Sequence, residues 1–234
     1  MTAPLAPLVR LTDEELLLMN AAHPAVATPY LDGLDAGEQR TAVDVAFRAL
    51  RAHGLQTSTD GAGLVLPEEV VSMLQVRESA TTIVFVSKVT RGGQIVRYHH
   101  LGTDTMVVED VDEQGVHDFS VLRADDLTAS LNAWLASEGA VDGQGGTIAV
   151  GVAAAAGDLA DAQDPWGEVV AQIDATVWRS SRETSCPPGE LIGFVLGTRG
   201  SWMSRTRVGR SVPVQLEPVR VTQVAEHIAH LLDA

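Results

Sequence analysis

The stretch Thr81–Leu135, TTIVFVSKVTRGGQIVRYHHLGTDTMVVEDVDEQGVHDFSVLRADDLTASLNAWL, decides the fold class. Thr81–Val89 is a run of β-branched and apolar residues, the composition that suits a pleated, half-buried surface. Arg91-Gly92-Gly93 interrupts it, and glycine supplies the backbone freedom that a tight hairpin needs. Gln94–Leu101 returns as a second strand, Gly102-Thr103-Asp104 turns, and Thr105–Val111 follows as a third. Glu113-Gln114-Gly115 then leads into Val116–Leu122. Connections this short favour antiparallel neighbours. Beyond Asp125 and Asp126, Leu127, Leu131, Trp134 and Leu135 fall at i, i+4, i+7, i+8, which predicts a helix with one apolar face laid on the sheet.

A related plan returns near the C-terminus. Leu191–Leu196 reads as a strand, Thr198-Arg199-Gly200 as a turn, Trp202–Val208 as the return strand, and Val212–Leu216 as a third. Pro213 argues for an edge position, because proline cannot donate to the ladder. Val221, Val224, Ala225, Ile228, Leu231 and Leu232 line a closing helix. Thr90-Arg91-Gly92 with Arg97 matches Thr198-Arg199-Gly200 with Arg205, 108 positions on. The expected fold is therefore α+β, built from two related halves with a quasi-two-fold relation, each an antiparallel sheet packed with helices. The boundaries read as an N-terminal half at 1–138, a Gly/Ala-rich linker at 139–164 and a C-terminal half at 165–234.

The remaining segments fill in this frame. Residues 1–10 read as a lead-in. Thr12 and Glu15 form a capping box for a helix that ends before Pro24. Ala25–Ala36 reads as a loop. Val43, Ala46, Phe47 and Leu50 mark a helix closed by Gly54, and Pro67-Glu68-Glu69 opens another that buries Val70, Val71 and Leu74. Periodicity does not decide between strand and helix for Ile148–Ala156. Asp164-Pro165 reads as a helix start, with Trp166, Val169, Val170, Ile173 and Val177 as its stripe.

Composition excludes several classes. The 234 residues carry a net charge of −15, and Lys88 is the single lysine among sixteen basic residues. Phosphate backbones need a basic surface, so nucleic acid is not an expected partner. No apolar run is long enough for a membrane span, and MTAPLAPLVR lacks the charged region that opens a signal peptide. One cysteine, Cys186, cannot close an internal disulfide, so a cytoplasmic setting is expected.

Candidate chemistry is sparse. His99 and His100 are consecutive on a strand and point to opposite faces. His117 and Asp118 could meet one of them, making His99, His117 and Asp118 the one conceivable acid–base cluster for a small-molecule enzyme. His227 and His230 lie three apart near a helix end, where imidazolium suits the dipole. None reaches the three or four converging ligands that zinc requires. No base accompanies Cys186, and there is no phosphate loop, nucleophile elbow or zinc-protease motif. The expectation is a non-enzyme without metal or cofactor. A winged-helix-like regulator, from Val43–His53 followed by Leu64–Leu66, is the other alternative, and the acidity opposes it. Asp104, Glu109, Asp110, Asp112, Glu113 and Asp118 crowd the later strands of the first copy, while Arg199, Arg205, Arg207 and Arg210 follow one another in the second with no acid between. They read either as two solvated faces or as arginines that dock an acidic partner or mate with the acidic half of the same or a second chain, complementary charge steering association and setting register. Trp134, Trp166 and Trp178 fall on helix stripes as core, and Trp202 beside its turn would anchor an interface if exposed.

Leu11-Thr12-x-x-Glu15, Leu50-x-x-x-Gly54-Leu55, the acidic β-rich half, the Gly/Ala linker and Val214-x-Leu216-x-Pro218 before the last helix together resemble the EspG family of actinobacterial type VII (ESX) secretion chaperones. The resemblance implies a quasi-two-fold α/β fold and a cytosolic, non-catalytic protein, monomer or homodimer. It would bind a helical secreted protein or heterodimer of the PE–PPE kind and keep it soluble for export. By position, the resemblance points to Gly102, Thr103 and Asp104 and to the expected Trp166–Trp178 helix as contact regions; the charge and aromatic content of the Arg-rich hairpin adds Arg199, Trp202, Arg205 and Arg207 as partner-binding candidates.

Overall fold

The computed structural model describes residues 7–55, 65–150, 165–180, 190–207 and 214–233. The chain is a mixed α+β protein whose sheets are antiparallel in every pairing of known register. By contacts it divides into two units: Met1–Ile83 with Ile95–Ala124, and Val84–Gln94 with Asp125–Ala234.

In the first unit, strands β1 (Val9–Thr12), β3 (Gly93–Leu101), β4 (Thr105–Val111) and β5 (Val116–Arg123) hydrogen-bond in the order β1-β5-β4-β3. The lead-in is thus partly a strand: Val9 and Leu11 face Phe119 and His117 across the β1–β5 ladder. Helix α1 (Asp13–Leu18) starts on the expected capping box, Thr12 Oγ1 accepting from Glu15 N and Glu15 Oε2 from Thr12 N. Helix α2 (Ala36–Ala52) starts seven residues before its apolar stripe, on a second box between Asp35 and Glu38. It closes at Gly54, whose φ is +72°, with Leu55 N donating to Leu50 O, the six-to-one bond of a Schellman end. Helix α3 (Glu68–Ser79) buries Val70, Met73 and Arg77, whereas Val71 faces out. Leu11, Leu16, Leu50, Met73, Val107 and Phe119 form the core between these helices and the sheet. Each such side chain contributes about 1.5–3 kcal/mol on leaving water.

In the second unit, β2 (Thr82–Thr90), β6 (Ile148–Val150), β7 (Val169–Arg179), β8 (Glu190–Gly197), β9 (Ser201–Arg207) and β10 (Val214–Pro218) run in the order β2-β7-β8-β9-β10-β6. Helix α4 (Leu127–Leu135) buries Leu127, Leu131 and Leu135. Helix α5 (Val224–Ala229) buries Val224, Ala225 and Ile228 and packs against α4. Lys88, the single lysine, donates to Trp134 O (2.9 Å) and Ala136 O (3.2 Å) and lies over the Trp134 ring, closing the C-terminal end of α4. Arg179 does the same for the final turn through Leu231 O and Leu232 O.

One predicted element is overturned. The helix expected from Pro165 is strand β7. Ala171, Ile173, Ala175 and Val177 are buried in strict alternation, a period of two. Val169, Val170, Ile173 and Val177 fit a helical stripe as well as a strand, and the β-branched content of VVAQIDATVWR settles the competition. With β7 in place, four consecutive strands, a 3₁₀ turn and a helix occur twice in the chain: β2 to α4 and β7 to α5. Ile148–Val150 is a strand paired with β10. Asp164, Cys186, Arg210, Pro213 and residues 151–156 lie outside the described residues, as does the side chain of Arg207.

Candidate functional site

The β3–β4 connection holds three of the candidate contact residues. Thr103 and Asp104 are exposed. The loop is pinned at both ends: Gly102 N donates to Thr105 O (2.9 Å) and Ala124 N to Asp104 O (3.0 Å). A Cβ on Gly102 would stand 2.8 Å from Thr105 O and 3.4 Å from Val76, so the turn closes tightly only around glycine. The result is a small, exposed, polar turn held by backbone hydrogen bonds.

The other candidates lie in the second unit. Trp166 is half-buried three residues before β7, and its carbonyl accepts from Arg199 N (3.0 Å). That carbonyl would meet a Cβ on Gly197 at 2.1 Å, so Gly197 is what admits it. Trp178 is half-buried on the face of β7 opposite the Ala171–Val177 row. Arg199 is exposed at the β8–β9 turn. Arg205 is exposed but engaged, 3.3 Å from Glu190 and 3.4 Å from His227 Nδ1. Trp202 is 4% exposed. The exposure that an interface anchor requires is absent, and Trp202 serves the fold instead.

The acid–base cluster weighed from sequence does not assemble. Register places His99, Asp110 and Asp118 on one face of the first unit's sheet, and Tyr98, His100, Glu109, His117 and Phe119 on the other. Asp118 pairs with Arg10 (2.6 and 2.9 Å) and Asp110 with Arg97 (2.6 Å to each oxygen). Asp112 accepts from Gln114 N and Val116 N within its own turn. Much of the acidic character read along these strands is thus matched locally. Among the described residues, no group of three or more His, Cys, Asp or Glu side chains is placed to hold a metal. His230 pairs with Asp233 rather than with His227.

What the inward face does assemble is a buried charge cluster. Arg77 Nε and Nη2 donate to the two oxygens of Glu109, each at 2.8 Å, and Arg77 Nη1 donates to Ala21 O. His100 Nε2 lies 2.7 Å from Glu109 Oε2, and His117 Nδ1 lies 2.7 Å from Glu109 Oε1. His117 Nε2 reaches Asp13 Oδ1 at 2.6 Å, while Asp13 Oδ2 accepts from Tyr30 N (2.8 Å) and Leu31 N (3.2 Å). Glu109, His100, His117 and Asp13 are all fully buried. Desolvation pushes Glu109 upward, but His100, His117 and Arg77 together hold its carboxyl well below the usual range. Desolvation opposes charge on His117 too, and its bonds to Asp13 and Glu109 win, raising it. His100 is lowered, burial outweighing Glu109. His23, edge-on to His100 at 5.7 Å between ring centres, is lowered to about 4 by burial and by His100 and Arg77.

Two signals in the sequence mark this cluster. Arg77 follows Met73 by four on the buried stripe of α3, and Glu109 stands between Val107 and Val111 on the inward row of β4. A charge at each of two core positions predicts a pair.

The fold and site define a mixed α+β protein with helix-packed antiparallel sheets, a pinned β3–β4 turn and a buried polar cluster. Neither a family model nor a curated protein matches the sequence. Among solved structures, the Mycobacterium tuberculosis type VII secretion system chaperone EspG5, determined in complex with a PE25-PPE41 dimer, has the same fold. The TM-score is 0.64 at 12% sequence identity, over 96% of this chain and 95% of that chain.

Proposed function

We propose that the chain is a non-catalytic cytoplasmic chaperone that binds a helical type VII secretion substrate of the PE–PPE kind. The observation that carries this reading is the shared fold with EspG5 along nearly the full length of both chains. Two further features support it. The pinned Gly102–Asp104 turn is already ordered, so docking it against a partner immobilises little. Arg199 adds an exposed positive group, which would steer an acidic partner and set its register. Trp178 on β7 and Trp166 just before it are the aromatic groups through which this segment would contribute. No helix among the described residues is long and apolar enough to cross a membrane, in keeping with this role.

Co-expression with PE–PPE-type heterodimers, followed by size-exclusion chromatography, tests the reading. A stable complex is expected, weakened at least about tenfold by Thr103→Arg with Asp104→Arg, a loss of about 1.4 kcal/mol. Thermal stability should stay within about 0.5 kcal/mol, because both side chains are exposed. No complex with any such pair refutes the client class. A complex indifferent to the double variant refutes the loop as a contact.

A further inference from the structure

Ala21–Leu31 is a strap with no helix or strand before the 3₁₀ turn at Leu31–Gly33. It is held at both ends and in the middle. Ala21 O accepts from Arg77, Ala27 N donates to Tyr98 Oη (2.9 Å), and Tyr30 N and Leu31 N donate to Asp13. Every one of these anchors belongs to the buried charge cluster or, in the case of Tyr98, adjoins it. The strap's outer side walls an open groove lined by His23, Pro24, Val26, Thr28, Asp32 and Tyr98. The shape of that groove therefore depends on the strap being held.

The charge count of the cluster turns on His117. Arg77 is a permanent cation. Glu109 accepts two bonds from Arg77 and meets one ring nitrogen from each of His100 and His117. His117 faces a carboxylate oxygen with both ring nitrogens, 2.7 Å and 2.6 Å away. A neutral imidazole has one N–H and one lone pair. Neutral His117 would set that lone pair against a carboxylate at one of the two contacts. As imidazolium it donates twice, and the cluster balances at two positive and two negative charges.

We propose that protonated His117 is a latch: it clamps Asp13 to Glu109 and so holds the Ala21–Leu31 strap on the sheet, and loss of its proton frees the strap and reshapes the groove. The titratable and charged groups that face it or its partners are Asp13 on α1, Glu109 on β4, Arg77 on α3, Tyr98 and His100 on β3, and His23 on the strap. Arg10 and Asp118 pair on the opposite face of the sheet. The sign follows from His117 being raised. Its contribution is complete below the ordinary histidine value of about 6.5 and is lost as pH climbs through its raised value in the fold, about tenfold in the latch equilibrium per pH unit between the two. On the acid side, protonating His100 or His23 brings a third cation to Arg77, so the latch also weakens toward the His23 value of about 4.

The test uses the full chain. Imidazole nitrogen NMR assigns the charge on His117, and hydrogen exchange of Ala27, Tyr30 and Leu31, corrected for intrinsic rates, follows the strap from pH 5 to 10. Both ring nitrogens of His117 should carry protons at pH 7. Strap protection should fall at least about tenfold across its titration while the β4–β5 amides keep theirs. Asp13→Asn, which retains an acceptor but removes a charge, should move the opening to lower pH. His117→Gln should lower strap protection and remove its alkaline dependence; if that variant does not fold, the wild-type titration decides alone. A singly protonated His117 at pH 7, or strap protection unchanged through its titration, overturns the proposal.

Discussion

Replacing Arg77 by methionine removes the guanidinium and keeps much of the volume. The wild-type side chain is 3% exposed and its partner Glu109 is 0% exposed, so water cannot step in for the lost donors. Glu109 then keeps its histidine contacts but loses two bonds of 2.8 Å, and Ala21 O loses its donor. Removing one member of a buried, hydrogen-bonded pair typically destabilises by about 3–5 kcal/mol, because the remaining charge stays in a low-dielectric site. For a chain of this size each kcal/mol moves the melting temperature by about 2–4 °C, so a fall of about 6–20 °C is expected. Glu109→Gln should cost a similar amount, leaving Arg77 against a neutral amide. The double variant should be less damaging than the sum of the two by about 2–3 kcal/mol, since each single change strands the other's partner. Urea unfolding of all four proteins at pH 7, followed by circular dichroism, gives the cycle. Single-variant losses below about 1 kcal/mol, or simple additivity in the double, would refute the account of Arg77 and Glu109 as one desolvated unit.

Three further outcomes follow from local geometry. Gly197→Ala would place a Cβ 2.1 Å from Trp166 O and should destabilise by about 2 kcal/mol or more, whereas Gly146→Ala, with open space around it, should be neutral within about 0.5 kcal/mol; paired thermal melts decide. His23 is kept uncharged in the fold and titrates at about 4, so the unfolded chain binds more protons and stability should fall as pH drops from about 6.5 to 4. The shift corresponds to about 3 kcal/mol, reduced to about 2 by solvent at the open groove, and His23→Leu should flatten that part of the pH–stability curve. Lys88→Met should cost about 1 kcal/mol, chiefly through the part-buried Trp134 carbonyl, since Ala136 O is open to water, with local hydrogen exchange rising at the end of α4 first.

The first meander was legible because its turns carry their own chemistry. The expected strand Thr105–Val111 coincides with β4, and the other three strands differ by a residue or so at an end. Capping at Thr12 and Gly54 was equally readable, since each is a local backbone arrangement. β7 was misread for a physical reason: apolar residues at both alternate and helical positions satisfy two periods at once, and only pairing with β8 selects one. The start of α2 was missed because Asp35 and Glu38 make a capping box ahead of a turn with no apolar residue to bury. The His117–Asp13 part of the charge cluster was hidden for a different reason. His117 and Asp13 are 104 positions apart, and no local pattern says which histidine of a strand faces a helix until register is known. Trp202 shows the converse, a residue whose neighbourhood to a turn suggested exposure while its side chain faces the interior.

The repeated Thr-Arg-Gly illustrates how little sequence such a plan retains. Aligned by fold, β2-β3-β4-β5-α4 corresponds to β7-β8-β9-β10-α5, so the first hairpin of one set should match the first of the other. Thr90-Arg91-Gly92 does lie in the first hairpin, but Thr198-Arg199-Gly200 lies in the second, between β8 and β9. The environments differ accordingly. A Cβ on Gly92 would meet only Thr90 Oγ1 at 3.6 Å, whereas one on Gly200 would meet Pro165 O at 3.1 Å and Trp202 Nε1 at 3.2 Å. Arg91 pairs with Glu168, Arg97 with Asp110 and Arg205 with Glu190, three unrelated partners. The match therefore reflects what a tight turn between strands demands of its residues, not a shared register. The same reasoning applies to the likeness with EspG5 at 12% identity: alternation, caps and turn glycines suffice to keep the fold, while the residues that choose a partner are free to change. For the client proposed above, the exposed side chains of Thr103 and Asp104 are therefore the positions to test first.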